Sequence, residues 1–226
     1  MGAFKPRRGA CRLPVWTIQD RQGPNGIRPF EEQPDVELGR RRALAAHALQ
    51  AALPGSMYIY QGEELSLPEH MAVPDELRED PAFYRTQGRE AGRDGCRVPM
   101  PWEANALGFG FSPSSSIWLP QPASWETLAV DVQEAEASSS LNFFKKMYRL
   151  RKDLGLGRAE LLDVQEAHLH YVSRLPDRAD VHLVMAFDEA VTLPAGAHIL
   201  LSTDEVAPAQ VSNEETAPNS TVWYTL

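Results

Sequence analysis

The sequence predicts an α/β segment followed by an antiparallel β module. An amphipathic helical pattern over residues 39–53 leads through Pro54-Gly55 into a short apolar run at 57–60, which is the order of an αβ unit. After residue 157 the pattern changes to five short runs of β-branched and aromatic residues, separated by turn residues. Such spacing is typical of antiparallel sheets.

Composition excludes several classes of partner. The chain has 226 residues and a formal net charge of -9. This length leaves room for one large domain or two small ones with a real core. An acidic chain binds nucleic acid and anionic membranes poorly, so we expect neither as a partner. No apolar run approaches the roughly 18 residues of a membrane helix.

The start of the chain and its cysteines indicate a reduced compartment. The first residues, MGAFKPRRGACRLP, contain no apolar run of the kind found in secretory signals. Cys11 and Cys96 lie far apart and match no metal-binding or redox spacing. The histidines show no HExxH pattern. We therefore expect a cytoplasmic protein with no metal site and no cofactor.

Residues 1–37 are rich in Arg, Pro and Gly and show no sustained apolar period, which predicts a poorly ordered segment. The helix over 39–53 then has one apolar stripe, formed by the rows Leu44, Ala48, Ala52 and Ala45, Leu49, Leu53. Three consecutive arginines, residues 40–42, lie at its amino end. The helix dipole disfavours them there, unless acids elsewhere in the fold contact them.

The stretch LPGSMYIYQGEEL, residues 53–65, predicts a buried strand followed by a polar turn. Its run at 57–60 is aromatic and β-branched and is apolar on both faces, as in strands that are fully buried. In α/β folds the carboxyl ends of such strands carry the chemistry. This places Gln61, Glu63 and Glu64 at a possible active-site rim. The alternative is that both glutamates are solvated loop acids.

Residues 92–120 form a long loop that is dense in Arg, Gly and Pro and contains the four aromatics Trp102, Phe109, Phe111 and Trp118. These aromatics argue against disorder. Trp102 and Phe109 could form a sugar-stacking platform. The alternative, which we prefer, is that they are core residues that pack with Met100 under the loop.

A second helix is predicted at 141–154, after the N-cap serines 138–140 and before Gly155. Its apolar face needs a partner, which the β module can supply. The five β-type runs are 161–164, 168–173, 181–187, 197–202 and 221–226, and residues 203–219 are predicted as a mobile loop. The predicted domains are therefore 1–37, 38–157 and 158–226.

Three stretches together resemble the closing part of the α-glucosidases, which belong to the α-amylase superfamily, glycoside hydrolase family 13. They are RRALAAHALQAALPGSMYIYQGEEL, then RDGCRVPMPW followed by GFGFS and WLP, and finally SSLNFFKKMYRLRKDL. The resemblance runs from about residue 39 to the end and is weaker after residue 160. It implies the C-terminal part of a (β/α)8 TIM barrel, followed by an antiparallel β-sandwich domain. In that frame 57–61 is the eighth strand, with the seventh helix before it and the eighth helix, 138–154, after the long loop.

The resemblance implies an oligosaccharide substrate, from which terminal α-linked glucose is hydrolysed by a retaining mechanism. The short segment between QGEEL and RDGCR is more similar to enzymes that act on α-1,4 linkages than to those that act on α-1,6 linkages. Retaining hydrolysis needs two carboxyl groups about 5 Å apart. In the family these follow the fourth and fifth strands, and no stretch of this sequence resembles either motif. We therefore expect the isolated chain to be inactive.

A third family acid, in an Asn-His-Asp motif after the seventh strand, helps to stabilise the transition state. The nearest stretch here is VWTIQDR, residues 15–21, which lacks both the Asn and the His. Asp20 is a candidate for this role, and the alternative is an acid in a disordered segment.

The family motif RDxxR implies that Arg97 holds the non-reducing glucose through its hydroxyls, beside an acid from early in the barrel that we do not find in this sequence. Asp94 of the same motif is placed in the predicted substrate-binding set. A fixed guanidinium fork suits paired hydroxyl and carboxylate acceptors. The alternative is that Arg97 only fixes its own loop through Asp94. Gln61 and Glu63 complete the predicted substrate-binding set. Glu63 and Glu64 cannot be the catalytic pair, because neighbours on an extended segment project to opposite sides.

One departure from the family pattern is Ser66, since Gly usually follows QGEEL there. A β-carbon is tolerated at this position unless the backbone needs a positive φ.

A second function is compatible with the sequence. The chain could be a non-catalytic carbohydrate-binding or assembly subunit, whose partner chain supplies the missing barrel strands. The reason is that one or two apolar parallel strands cannot stay exposed in water. For the chain alone we expect hydrogen-exchange protection to be strongest at 138–201 and 221–226 and weak at 57–61.

Overall fold

The computed structural model describes residues 36–114, 116–156, 158–206 and 214–226. The segment 1–37, which was predicted to be poorly ordered, therefore lies almost wholly outside the described residues. None of the helices within these ranges is both long and apolar enough to cross a membrane.

The described chain contains four α-helices, α1 (Val36–Ala52), α2 (Pro81–Arg85), α3 (Val130–Ala135) and α4 (Ser140–Leu154). The first and last confirm the helices predicted from apolar periodicity, within three residues at each end. Ser139 is the N-cap of α4, and its side chain accepts a hydrogen bond from the Asn142 amide at 3.1 Å. Gly155 ends the helix in the left-handed conformation, at a φ of 67°.

Seven strands follow, and they confirm the predicted antiparallel β module. They are β1 (Glu160–Val164), β2 (His168–Ser173), β3 (Val181–Ala186), β4 (Val191–Thr192), β5 (His198–Ser202), β6 (Glu215–Thr216) and β7 (Ser220–Thr225). Five of them form an antiparallel sheet in the order β1-β2-β3-β7-β5, and β4 pairs with β6. The sequence did not predict the β4–β6 pair, because two-residue strands carry no periodicity. β6 and the buried Ala217 lie in the stretch that was predicted as a mobile loop.

The chain forms two compact units. The first contains Ile59–Ala137 and the start of α1, and the second contains Arg40–Tyr58 together with Ser138–Leu226. Most of α1 and all of α4 thus belong to the same compact unit as the seven strands. The predicted boundaries at 38 and 158 follow changes in sequence pattern and stay predictions.

The core of the second unit lies between the helices and one face of the five-stranded sheet. Leu44 and Ala48 of α1 and Phe144 and Met147 of α4 belong to one buried cluster with Trp223 of β7. The Trp223 indole N–H also donates to the Ala48 carbonyl, at 3.2 Å. The sheet is therefore the partner that the apolar face of α4 was expected to need.

The opposite face of this sheet carries a smaller apolar cluster. Val184, Val222 and Tyr224 of the sheet are buried there with Leu193, and Val191 of β4 packs against them. Two antiparallel layers thus face each other over part of the module, although the second layer is only a two-stranded pair.

The arginine triplet contacts residues of the β module, two of which are acids, and these contacts supply the reason that the local sequence lacked. Because α1 begins at Val36, the triplet lies one turn inside the helix instead of at its first turn. Arg41 pairs with Asp204 at 3.5 Å and Arg42 with Asp188 at 3.4 Å. Arg40 donates to the Val206 carbonyl at 3.1 Å.

The prediction of a buried strand at 57–61 is wrong. These residues belong to no strand, and the side chain of Tyr58 is 83% exposed, with Ile59 and Tyr60 at 37% and 36%. An apolar run is buried only where neighbouring strands cover it, and within the described ranges no strand pairs with this one. The run is preceded by a fixed turn, because Arg151 of α4 donates to the carbonyls of Leu53 and Gly55 at 2.9 and 2.7 Å.

Candidate functional site

The best-supported candidate site is centred on Arg97, whose guanidinium spans two buried carboxylates. Its Nη1 lies 3.4 Å from Asp94 Oδ1, and its Nη2 lies 3.4 Å from Asp80 Oδ2. The two aspartate side chains are 0% and 3% exposed, whereas the Arg97 side chain is 26% exposed. One side of the guanidinium is thus fixed by charge, and part of the residue remains accessible.

Asp94 links Arg97 to a second segment of the loop. Its Oδ2 accepts hydrogen bonds from the backbone amides of Glu79 and Asp80, at 3.2 and 3.1 Å. The pairing of Arg97 with Asp94, which was considered as the alternative to glucose binding, is present in the structure. This contact is what the loop-fixing alternative requires, and it is equally what a substrate-binding arginine would need for a fixed orientation.

Asp80 is the residue that sequence reasoning missed. Its Oδ1 accepts from the Ala82 amide at 2.9 Å and so caps α2, where Pro81 occupies the first helical position. Its Oδ2 accepts from both the amide and the Nε of Arg93, each at 3.1 Å. The Asp80-Pro81 dipeptide is a local signal for a helix start, but no local pattern reveals the distant arginines.

Asp80 remains a carboxylate because its donors outweigh its burial. Desolvation by burial raises the pKa of Asp80, while the hydrogen bonds from the Ala82 amide and from Arg93 lower it by more. The net effect is a pKa below the ordinary value for an aspartate. A charged Asp80 can therefore hold both Arg93 and Arg97 over the whole neutral range.

A buried arginine organises the preceding part of the same loop. Arg78 donates to the carbonyls of Val73 at 2.8 Å, Ala91 at 2.9 Å and Met71 at 3.3 Å. Its Nε lies 3.4 Å from Asp75 Oδ1, which is an ion pair without hydrogen-bond geometry. By joining three backbone carbonyls, Arg78 keeps a segment with little secondary structure in one shape.

Two glycines allow the loop segments to approach closely. A β-carbon on Gly95 would lie 2.5 Å from the His70 carbonyl oxygen, and the His70 amide donates to the Gly95 carbonyl at 3.1 Å. A β-carbon on Gly92 would lie 2.5 Å from the Asp80 β-carbon. The glycines of GRDGCR thus have a steric reason. A side chain at position 92 would displace Asp80, which holds Arg97, and one at position 95 would displace the backbone of His70.

Gln61 and Glu63 lie in a separate turn of the same unit. Glu63 Oε2 accepts a hydrogen bond from the Tyr60 amide at 3.0 Å, and Gln61 is exposed. Gln133 of α3 fixes this turn by donating to the Leu65 carbonyl at 2.9 Å. In the ranges that the structure covers, no hydrogen bond joins Gln61 to Arg97 or Asp94. The substrate-binding roles of this set stay predictions.

Ser66, at the end of this turn, has a φ of 51°. The backbone therefore does need the left-handed conformation that glycine adopts without strain. The family's glycine at this position has a physical reason, and this chain carries the strain of a β-carbon there.

The preference for Trp102 as a core residue is wrong. The Trp102 amide donates to the Phe109 carbonyl at 2.7 Å, and its carbonyl accepts from the Asp131 amide at 3.1 Å. These bonds fix the backbone, while the side chain is 47% exposed and only Met100 is buried. Phe111 and Trp118 are also about half exposed, at 50% and 51%. The loop therefore presents aromatic surface to solvent.

Asp20 lies outside the described residues, so its role as a transition-state acid stays a prediction. Asp80 and Asp94, the buried acids of the site, have their oxygens occupied by backbone amides and arginines. Neither is available as a nucleophile or a proton donor.

Comparison with known proteins places this geometry in context. Residues 32–156 match the family described as alpha amylase, catalytic domain. A probable alpha-glucosidase of Rhizobium meliloti is 35% identical over 148 residues, which cover 64% of this chain and 26% of that protein. The salivary alpha-glucosidase of Aedes aegypti is 34% identical over 108 residues, covering 46% of this chain and 18% of that protein.

A solved structure, that of the alpha-glucosyl transfer enzyme XgtA, superposes with a TM-score of 0.67 at 30% identity. The superposition covers 82% of this chain and 35% of XgtA. The chain thus spans about a quarter of the length of the Rhizobium protein and about a third of XgtA.

Proposed function

The chain belongs to the alpha-amylase catalytic-domain family, and from this premise we propose that it is the C-terminal portion of an α-glucosidase. The activity of the whole enzyme is the removal of terminal glucose, joined by α-1,4 linkages, from oligosaccharides by a retaining mechanism. Similarity to two alpha-glucosidases at about one-third identity supports the substrate class.

Within this proposal α1 is the seventh barrel helix and α4 is the eighth barrel helix. The segment 57–61, which forms no strand in this chain, occupies the position of the eighth barrel strand. The strands after residue 158 are the β domain that follows the barrel. The support is the superposition on XgtA together with the order helix, turn, extended segment, long loop and helix.

The observation that carries the proposal is the double hold on Arg97. A guanidinium fixed by Asp80 and Asp94 loses little freedom when it binds a ligand, and its exposed part can donate to the hydroxyl oxygens of a terminal glucose. Gln61 and Glu63 belong to the same proposed substrate-binding set. The half-exposed Trp102 adds a ring of the kind on which sugars stack.

A grafted enzyme tests this role. The matching segment of the Rhizobium α-glucosidase is replaced by this chain, and kcat/KM is measured on maltose and on isomaltose. We expect hydrolysis with a preference for maltose. Arg97→Lys should lower kcat/KM by about 100-fold, because the fork to charged and hydroxyl partners is lost.

Arg85→Lys is the matched control, because Arg85 is exposed on α2 and makes no contact with either aspartate among the described residues. A graft that hydrolyses maltose equally well with Arg97→Lys and with Arg85→Lys would remove Arg97 from the site. A graft that folds but prefers isomaltose would contradict the α-1,4 assignment.

The isolated chain is proposed to be inactive. A retaining mechanism needs two free carboxyl groups about 5 Å apart, and the buried acids at Arg97 are already committed to donors. The test is hydrolysis of an aryl α-glucoside by the purified 226-residue chain, for which we expect no turnover. Turnover that survives both Asp20→Ala and Glu63→Ala would overturn the assignment of this chain.

A second candidate function is a non-catalytic, carbohydrate-binding or assembly subunit. It is favoured by residues 58–61, which are exposed, and by the absence of any strand that pairs with the segment 57–61 in the described ranges. A partner chain that supplies barrel strands would cover this apolar surface.

Light scattering after size exclusion separates the two candidates. A monomer that melts cooperatively and does not bind the dye ANS argues against a required partner. A chain that binds ANS, and loses this binding when a barrel-strand fragment of the Rhizobium protein is added, supports assembly. The predicted cytoplasmic location is part of the proposal and would be tested by fractionation of the source cells.

A further inference from the structure

A cluster of two histidines and one tyrosine lies on the sheet face that is turned away from the helices. His170 of β2 and His182 of β3 approach each other, with 3.1 Å between His170 Nε2 and His182 Nδ1. Tyr224 of β7 lies beside both, because its hydroxyl oxygen is 3.4 Å from His170 Nε2 and its ring stacks on His182 at 5.2 Å. No part of the proposed glucosidase chemistry uses these residues.

Strand register holds the three side chains in place. His182 is directly opposite Tyr224 in the β3–β7 ladder, and it is opposite Val172 in the β2–β3 ladder. His170 is opposite Val184, so the two histidines are diagonal neighbours on the same face. Side chains carried on paired strands are positioned more precisely than side chains on loops.

The donor spacing is that of ligands around one small metal ion. Two nitrogen ligands of a tetrahedral Zn²⁺, each about 2.0–2.1 Å from the ion, lie roughly 3.3–3.4 Å apart. The observed separations, 3.1 Å between the nitrogens and 3.4 Å from nitrogen to phenol oxygen, bracket this value. Both contacts meet at His170 Nε2, which therefore lies within 3.4 Å of the other two ligand atoms.

The protonation states suit a metal ligand. Desolvation by burial is the main cause that lowers the pKa of both His170 and His182. A lowered pKa favours the neutral imidazole, which is the form that binds metal. The two facing nitrogens share a hydrogen bond of 3.1 Å, so a metal ion would take the place of the proton between them. Burial raises the pKa of Tyr224, so a metal ion would displace its hydroxyl proton or bind the neutral phenol.

The charged groups around the cluster are few. Asp163 of β1 pairs with His168 at 3.5 Å, and both act on His170 through their charges. Asp180 and Arg174, which pair with each other at 2.7 Å, act in opposite directions on His182. Among the described residues, no group of three or more His, Cys, Asp or Glu side chains could hold a metal ion, so the phenol oxygen has to be the third protein ligand.

We propose that His170, His182 and Tyr224 form a binding site for a borderline divalent transition-metal ion, with Zn²⁺ as the type case. Imidazole ligands favour Zn²⁺, Ni²⁺ and Cu²⁺, whereas Mg²⁺ and Ca²⁺ favour carboxylate and carbonyl oxygens, which the cluster lacks. A metal ion there would join β2, β3 and β7, the three central strands of the sheet. This site does not depend on the proposed glucosidase function.

Calorimetric titration of the full chain tests the proposal. With ZnCl₂ at pH 7.5 we expect one equivalent to bind, and with MgCl₂ none. His182→Gln should weaken Zn²⁺ binding by about tenfold or more, since even residues that only support metal ligands commonly matter by 10–100-fold. His198→Gln is the matched control, because His198 is an exposed residue of β5 outside the cluster, and it should leave the affinity unchanged.

The spectrum of bound Co²⁺ gives a second readout. Wild type should show the intense visible bands of a tetrahedral site, and Tyr224→Phe, which keeps the ring but removes the oxygen, should shift them. Absence of Zn²⁺ binding to the folded wild-type chain, or equal binding by wild type, His170→Gln and His182→Gln, would overturn the proposal. If a variant melts early, the wild type decides, because the folded chain must bind Zn²⁺ and must not bind Mg²⁺ under the same conditions.

Discussion

The Nη2 of Arg97 lies 3.4 Å from the Oδ2 of Asp80, a carboxylate that is simultaneously the N-cap of α2. The Asp80 side chain therefore has two roles: it caps the amino end of α2 and it orients Arg97 of the candidate site. Asp94 repeats this arrangement from the other side, with two amides and the same guanidinium. Replacement of either aspartate should therefore change both the orientation of Arg97 and the stability of the backbone around it.

Asp80→Asn tests this coupling. Asparagine keeps the shape and the capping oxygen but loses the charge, so we expect the free energy of unfolding to fall by about 2 kcal/mol in urea titrations. The pKa of Asp80 is lowered in the folded protein, so its stabilisation is present above the ordinary pKa and is lost as the pH falls through the folded value. The variant should therefore lose less stability than wild type between pH 4.5 and pH 2.5.

The matched control for that variant is Asp188→Asn. Asp188 also pairs with an arginine, but its side chain is 84% exposed. Surface ion pairs contribute little, so this variant should unfold as wild type does. Equal effects of the two substitutions would mean that burial of Asp80 does not matter.

Ser66→Gly should stabilise the protein by about 1 kcal/mol. Ser66 has a φ of 51°, and a β-carbon in the left-handed region is strained by about that amount even after the extra chain entropy of glycine is counted. Ser66→Ala separates this effect from the loss of the hydroxyl, because it keeps the β-carbon. A gain in melting temperature for Gly but not for Ala is expected, and a gain for both would assign the effect to the hydroxyl.

The accuracy of the sequence-based predictions depended on how local the cause was. α4 and the five main strands were predicted within a residue or two, because apolar periodicity, a serine cap and a terminal glycine act over a few residues. The run at 57–60 was misassigned as buried, because its burial depends on strands that must be supplied from elsewhere. Its composition alone could not reveal this.

The candidate site shows the same division. Asp94 and Arg97 are three residues apart, and their contact is the one that the loop-fixing alternative named. Asp80 reaches the same guanidinium only through the folding of the loop, which Arg78 and the close approach at Gly92 and Gly95 bring about. No periodicity or residue spacing in the sequence predicts the contact between Asp80 and Arg97.

Arg151→Lys should destabilise the second unit by about 1–2 kcal/mol. Arg151 donates to the carbonyls of Ala51, Leu53 and Gly55, so it caps the carboxyl end of α1 from the neighbouring helix. Lysine keeps the charge but cannot reach three acceptors in a fixed fork. Urea unfolding followed by tryptophan fluorescence measures the change. Arg149→Lys, at an exposed position on the same helix, should have no measurable effect, and a comparable loss there would contradict the capping role.

His47 should make the protein less stable as the pH falls from 7.5 to 5. Burial lowers the pKa of His47 to about 4, while the unfolded chain takes up a proton near the ordinary value of 6.5. The stabilisation is therefore complete above the unfolded pKa and is lost as the pH drops towards the folded one, amounting to about 2 kcal/mol at pH 5. His47→Leu should flatten the dependence of unfolding free energy on pH in this window.

A residual slope in that variant is expected from His170 and His182, whose pKa values are also lowered by burial. His198→Gln serves as the comparison, because His198 is exposed on β5 and should leave the slope as in wild type. A His47→Leu profile as steep as that of wild type would show that His47 is not the group responsible.

Hydrogen exchange should be slowest in the central strands and in α4. β2, β3 and β7 each have a strand on both sides, and α4 covers one face of their sheet. The backbone at 57–59 lies in no strand and should exchange quickly. Mass spectrometry of the full chain can resolve these segments. Slow exchange at 57–61 in a verified monomer would contradict the expectation, since it would require a strand partner within the chain itself.

The second unit is assembled from two stretches, Arg40–Tyr58 and Ser138–Leu226, and the stretch Ile59–Ala137, which contains Arg97, is inserted between them in the sequence. In polymer terms the insertion is a closed loop on the order of 80 residues, and its closure entropy opposes folding by roughly 4 kcal/mol. This quantity grows only with the logarithm of the length, by about 0.6 kcal/mol for each doubling. A change in the length of the insertion therefore changes this entropic term little, as long as its two ends stay in place.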